Sequence, residues 1–419
     1  MHIRSYGIPA FLSSLPASAR CALALGFCIG FADGVMLPFL ALWAEHAAHV
    51  SSRFVGPLLA CYSAGELIAT PWLGGAADRW GRRPVLLASL LGVGGGFMLL
   101  PFCQGAIEIA AVLLAIGVAE CALHPTVSTV IADVVAPARH RQAFAWARGV
   151  SGLGRIAGPA TGAMLAAPAL GGVFFGAAGA LLAAALMVLA WMPETRHPGS
   201  HHNDNEDEDD EPGLAGLLPA FRDRQLASML GWLLCVEICA GWVPAVLPLF
   251  AHDTGLLTPA QVGWLFTYGA ALLAGLQVAT AGRLARVEGG ALVWSSALAL
   301  AAAFAAILLL GGVAGLAVGM TLLSLNQMLL GPLVPATLGA LAPPHRRAVY
   351  MAAGSVVNDL EDTLGPAIGT LVYGVSPRLP WIVGIPLALG AGFALSRRMR
   401  RMQRAGRREA ESDSRAPEL

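Results

Sequence analysis

Apolar stretches of membrane-crossing length recur along almost the whole chain, and that recurrence leaves few folds open. An α-helix needs roughly 20 apolar residues to cross the hydrocarbon core of a bilayer. Such stretches fall at residues 21–43, 54–76, 83–103, 106–134, 142–166, 169–192, 226–250, 259–282, 289–311, 313–341, 348–374 and 378–396, hereafter segments 1 to 12. Only Gly311-Gly312 divides segments 9 and 10. Inside lipid every backbone N–H and C=O must be satisfied within the protein, which selects helices for isolated spans. Charged residues make up 12% of the 419 residues, against about 25% in a soluble domain. The expected fold class is an all-α membrane protein with twelve transmembrane helices.

All 26 basic residues are arginine, and they are distributed unevenly. With a cytoplasmic N-terminus, 22 of them fall on the cytoplasmic side, and only Arg53 and Arg378 fall on the other. Arg148 and Arg155 lie inside segment 5. The positive-inside rule then puts both termini in the cytoplasm. The basic tail, Arg397 to Arg408, reads as part of that anchor, with contact to anionic lipid as the alternative. Segment 1 is too long for a signal-peptide core. Cys21, Cys28, Cys61, Cys103, Cys121, Cys235 and Cys239 lie in apolar segments without metal-ligand spacing and read as small packing residues. High Ala, Gly and Arg content without lysine points to a multi-pass protein of a bacterial inner membrane.

The two halves resemble each other. Ala136-Pro137 matches Ala342-Pro343 at an offset of 206, as does Pro38 with Pro244; the first run ends on Ala143 and its shorter counterpart on Ala348 at 205, and Gly158-Pro159 matches Gly365-Pro366 at 207. A duplicated six-helix unit is implied, the architecture in which transporters build a midplane site between repeats. The expected domains are a bundle over 1–193, a linker over 194–224, a second bundle over 225–398 and a basic tail over 399–419. The linker run His201 to Glu211 repels itself and reads as solvated chain, weak metal binding being the alternative.

Seven acids sit in the interiors of apolar segments, away from their ends: Asp33, Glu66, Glu120, Glu237, Asp359, Glu361 and Asp362. A charge at mid-bilayer costs about 2.5–3.5 kcal/mol even on insertion scales. Five or six uncompensated anions would cost on the order of 12–20 kcal/mol, comparable with a domain's whole stability of ~5–15 kcal/mol. They must therefore line a hydrated cavity, pair, bind a cation or hold protons. Asp359 and Asp362 share a face at i,i+3, and Glu361 aligns with Gly365 at i,i+4. By the repeat, Arg155 corresponds to Asp362, and Arg155 is expected to pair with Asp33 or Glu120. Asp33 and Glu237 each precede a proline by five or seven residues, and helix-bending proline is tolerated beside a cavity. His124-Pro125 and Asn326-Gln327 read as helix–helix glue.

The loop Gly74-Gly-Ala-Ala-Asp78-Arg79-Trp-Gly81-Arg82-Arg83 between segments 2 and 3 resembles the signature Gly-x-x-x-Asp-Arg-x-Gly-Arg-Arg of the major facilitator superfamily. Gly154-Arg-Ile-Ala-Gly158-Pro159-Ala-Thr-Gly162 is similar to the segment-5 motif of its twelve-helix drug/proton antiporter branch. The resemblance implies two pseudo-symmetric bundles and gating by the loop. Asp78 would hold the N-terminal end of segment 11, and the arginine at Arg82 would pair with an acid at the end of segment 4, here Asp133. It also implies transport and not catalysis, with a small-molecule substrate, protons and lipid as partners, a monomeric state, and no cofactor, metal or nucleic acid. Two departures stand out. Segment 4 carries Glu120 and lacks the early arginine of the branch, and Arg286 stands where the second-half loop would have an aspartate. The function implied is proton-coupled export of a cationic or zwitterionic molecule, such as a drug or a secreted metabolite (a siderophore among them). Import of a nutrient cation and lipid or lysolipid flipping remain as alternatives on the same fold.

Overall fold

The computed structural model describes residues 15–73, 76–136, 139–194, 222–284, 287–341 and 347–413. Sixteen α-helices and no strands occur among them. They are α1 (Ala17–His46), α2 (Ser52–Leu73), α3 (Ala76–Trp80), α4 (Arg82–Leu99), α5 (Ala106–Glu120), α6 (Leu123–Val134), α7 (His140–Ala166), α8 (Gly172–Trp191), α9 (Arg224–Gly241), α10 (Val243–Asp253), α11 (Pro259–Leu284), α12 (Gly289–Leu309), α13 (Gly312–Leu330), α14 (Leu333–Leu341), α15 (Arg347–Tyr373) and α16 (Leu379–Asp413). Among the described residues, eight spans are long and apolar enough to cross a membrane, α5–α6, α9–α10 and the region from α13 into α14 each counting as one. Large apolar side chains face outward, Leu309 at 83% exposure and Ile107 at 86%. Together with spans of membrane-crossing length, an apolar surface of that kind fits a lipid-facing exterior.

Three segments expected as single helices are interrupted. Segment 4 breaks at Cys121-Ala122, segment 7 at Trp242 and segment 10 at Gly331-Pro332. Proline lacks the N–H that would reach four residues back, and Pro125, Pro244 and Pro332 leave the Cys121, Ala240 and Met328 carbonyls without that donor. Other prolines do not interrupt: α1 runs through Pro38, α7 through Pro159 and α15 through Pro366.

The chain forms two compact units. One comprises Met1–Ser51, Pro57–Asp209 and Leu257–Thr267, the other Ser52–Gly56, Asp210–Leu256 and Tyr268–Leu419. In the first unit, α1 packs along α7 and α8, and α4 along α8. Trp43 meets Phe174 edge to face in its interior. In the second, α12 packs on α13 and α16, and α9 on α15 and α16. Trp242, Phe304, Trp381 and Phe250 form a chain of ring contacts at centroid spacings of 5.5–5.9 Å.

The tightest helix pairs meet through glycine. A Cβ on Gly158 would lie 2.6 Å from the Phe31 carbonyl oxygen and 2.7 Å from the Gly34 Cα, so α1 and α7 touch backbone to backbone. A Cβ on Gly365 would lie 2.9 Å from the Gly241 Cα, so α9 and α15 do the same. Small residues at such crossings let membrane helices gain packing that lipid cannot provide.

Candidate functional site

The α1–α7 crossing sets Asp33 beside Arg155. Their charged atoms are 3.6 Å apart, an ion-pair distance longer than a hydrogen bond. With Arg155 62% exposed and Asp33 30%, the pair is partly hydrated and contributes at most about 1 kcal/mol. Of the two partners expected for Arg155, the structure selects Asp33. Glu120 is engaged elsewhere: the Tyr62 hydroxyl of α2 donates to its Oε2, and His124 Nε2 of α6 lies 3.6 Å from its Oε1. Glu120 is 5% exposed, and it ends α5 at the break that Pro125 helps create. Asp33 also feels the charges of Glu120 and His124, while Tyr62 feels Asp33 and Glu66. Glu66 is half-buried on α2, one turn beyond Tyr62. The first unit thus gathers Asp33, Glu66, Glu120 and Arg155 around a tyrosine and a histidine. Tyr62 was not singled out from the sequence, although its i,i+4 spacing to Glu66 was visible there. His124, for which helix–helix glue is the leading reading of the sequence, lies beside Glu120.

The second unit repeats the geometry with different chemistry. At the offset of 207 that aligns Gly158 with Gly365, Gly34 aligns with Gly241, Gly30 with Glu237, Gly154 with Glu361 and Arg155 with Asp362. In the first unit, Gly30 and Gly154 are contact points of the crossing: a Cβ on Gly154 would lie 2.4 Å from the Phe27 carbonyl oxygen, and one on Gly30 would lie 2.4 Å from that of Ser151. In the second unit both corresponding positions are glutamates. Glu361 lies against Gly241, its Cγ 2.8 Å from where a Cβ would stand. Glu361 feels the charges of both Glu237 and Asp362. Asp359 is half-buried near the start of this group and takes no part in that mutual repulsion among the described residues.

The loop after α2 is held by a second set of contacts. Arg82, 9% exposed, donates from Nε to Asp133 Oδ2 at 3.0 Å and from Nη1 to the Ala77 carbonyl at 3.2 Å. Glu194, at the end of the first bundle, accepts the backbone N–H groups of Arg82 at 3.0 Å and Arg83 at 3.2 Å. A carboxylate there satisfies donors that a helix start leaves open. Gly81 has φ +98°, a backbone conformation that favours glycine, and a Cβ on it would lie 2.6 Å from Glu194 Oε2, so the carboxylate would have to shift. Glu194 went unnoticed in the sequence because its partners are more than a hundred residues away. Arg83 Nη2 donates to the Leu189 carbonyl, and Arg79 is exposed on α3. Gly74, the side chain of Asp78 and the His201–Glu211 run lie outside the described residues. Gly162 completes the α7 motif, packing against Phe39 and the Val35 carbonyl.

The family model described as Major Facilitator Superfamily matches residues 22–360. The class B tetracycline resistance protein of Escherichia coli is 29% identical over 262 residues, 58% of this chain and 63% of that protein. The alignment therefore spans less than two thirds of that relative. Multidrug resistance protein 1 of Bacillus subtilis (strain 168) is 24% identical over 356 residues, 83% of this chain and 88% of its own. Among solved structures, the nucleoside transporter NupG superposes with a TM-score of 0.72 over 92% of this chain and 98% of its own, at 13% identity. That last likeness concerns the fold alone. With two helical units, membrane-length apolar spans and a family match over most of its length, the chain belongs to the Major Facilitator Superfamily.

Proposed function

We propose that the protein is a proton-coupled exporter of cationic or zwitterionic, partly apolar organic molecules, working as a monomer by alternating access in a bacterial inner membrane. The observation that carries the reading is the trio Glu237, Glu361 and Asp362 at the α9–α15 crossing, where two acids occupy positions that are glycine in the other half. Mutually repelling carboxylates gain by binding a cation or a proton, and one site serving both in turn is the requirement for exchange. A proton taken from outside displaces the cation outward, and the same proton leaves to the cytoplasm after the switch. Asp33, Glu66, Glu120 and Arg155 shape the polar wall of the first unit. The Arg82–Asp133 pair serves as a latch that forms and breaks with the transport cycle. The resistance named in the two bacterial relatives supports the outward direction.

The test uses inverted membrane vesicles and a panel of tetracyclines and lipophilic cations. We expect energised uptake of at least one compound, collapse on adding a protonophore, and a fall of about tenfold in Asp362→Asn. Uptake that survives both treatments would refute the proposal.

A further inference from the structure

We infer that the cytoplasm-facing end of α16, together with the start of α9, is a docking surface for the phosphates of anionic phospholipids in the adjoining leaflet. α16 is one continuous helix of 35 residues, about 52 Å long at 1.5 Å per residue. A bilayer core is only about 30 Å thick, so roughly 15 residues of the helix extend beyond it. Arg400, Arg401, Arg404, Arg407 and Arg408 fall in that extension, Arg397 and Arg398 stand at its edge, and the first acid after them is Glu409.

The contacts place the first arginines at the lipid boundary. The Arg397 guanidinium lies 5.7 Å over the Phe393 ring, and Phe393 is 52% exposed on the apolar exterior. Phe393 in turn meets Trp294 edge to face, an aromatic pair of the kind that marks the headgroup level. Ser396 donates to the Gly290 carbonyl at 2.6 Å, and the stem of Arg400 lies on Gly290, which fixes α16 to the start of α12. Arg398 donates to the Arg224 carbonyl at 3.3 Å, bringing the first residue of α9 into the patch.

The described arginines of this set lack carboxylate partners. Among the described residues, none of Arg397, Arg398, Arg400 and Arg401 forms an ion pair with a carboxylate. Asp223, the acid beside Arg224, is occupied by the N–H groups of Gln225 and Leu226 and by the Tyr350 hydroxyl. Arg397 and Arg401 are exposed at i,i+4, on one side of the helix. A row of unneutralised guanidinium groups at headgroup height matches a lipid phosphate, which accepts two N–H bonds from one arginine.

The experiment reconstitutes the full chain in nanodiscs of phosphatidylglycerol and phosphatidylcholine. It then measures phosphatidylglycerol retained after extraction, by native mass spectrometry, beside the thermal midpoint in each lipid. We expect retention by the wild type, a thermal midpoint that rises with phosphatidylglycerol content, and a loss of lipid affinity of roughly 25-fold in Arg397→Gln/Arg401→Gln, fivefold for each arginine near a charged surface. Arg397→Lys/Arg401→Lys should recover much of the loss, and Arg378→Gln, at the other end of the span, should leave retention unchanged. Equal retention by the double glutamine variant and the wild type would overturn the inference. So would complete displacement of the lipid by millimolar inorganic phosphate, which would make this a free-anion site.

Discussion

Asn326 illustrates how a polar side chain is accommodated where water is absent. It is 2% exposed, and its Nδ2 donates to Ser296 Oγ at 2.7 Å and to the Ser296 carbonyl at 3.1 Å. The bonds tie α13 to α12 inside an otherwise apolar contact. Removing one partner of a buried bond strands the other, whereas removing both can be nearly neutral. Asn326→Leu should therefore lower stability by about 1–2 kcal/mol, and adding Ser296→Ala should restore most of it. Denaturant unfolding in detergent micelles measures both, and a double variant no more stable than the single one would count against this account. The sequence marked Asn326 as glue correctly but not its partner. The same limit applied at Arg155: Asp33 and Glu120 were equally available on paper, and only the Tyr62 hydroxyl and His124, which hold Glu120, decide between them.

At the scale of elements, glycine spacing decides which helices touch. On α7, a Cβ at Gly158 would overlap the backbone of α1, whereas Gly149 and Gly152 have nothing within 4 Å. Alanine carries a helix propensity advantage of about 1 kcal/mol over glycine, so Gly152→Ala should be neutral or mildly stabilising. Gly158→Ala gains the same propensity but must force two backbones apart, at a cost of about 1–3 kcal/mol. Thermal midpoints should thus move in opposite directions for the same chemical change six residues apart, and a Gly158→Ala protein as stable as the parent would count against the close α1–α7 crossing. Helices were legible in the sequence because a bilayer demands long apolar runs whatever the tertiary structure. The breaks at Cys121-Ala122, Trp242 and Gly331-Pro332 were not, since proline interrupts α5–α6 and α9–α10 yet passes through α1 and α7 unbroken. Proline contributes to these breaks without being sufficient for one.

Across the whole molecule, one architectural plan carries two unlike sets of charges. The first unit compensates its acids: Asp33 with Arg155, Glu120 with Tyr62 and His124. The second sets Glu361 against the like charges of Glu237 and Asp362. If duplication alone governed function, neutral substitutions at matched positions would act alike. Their environments predict otherwise. Removing one charge from the second unit relieves repulsion, so Glu361→Gln should leave downhill, gradient-free transport of a substrate within about twofold of the parent while abolishing accumulation driven by a pH gradient. Asp33→Asn leaves Arg155 without its counter-charge and should depress both modes, with Asp33→Asn/Arg155→Gln recovering part of the downhill rate. The informative quantity is the ratio of driven to downhill flux in proteoliposomes, because misfolding or poor insertion lowers both together and cannot change it. A ratio reduced equally by the Asp33 and Glu361 substitutions would mean that proton coupling is shared between the units, and that the glutamates in place of Gly30 and Gly154 do not set the second unit apart.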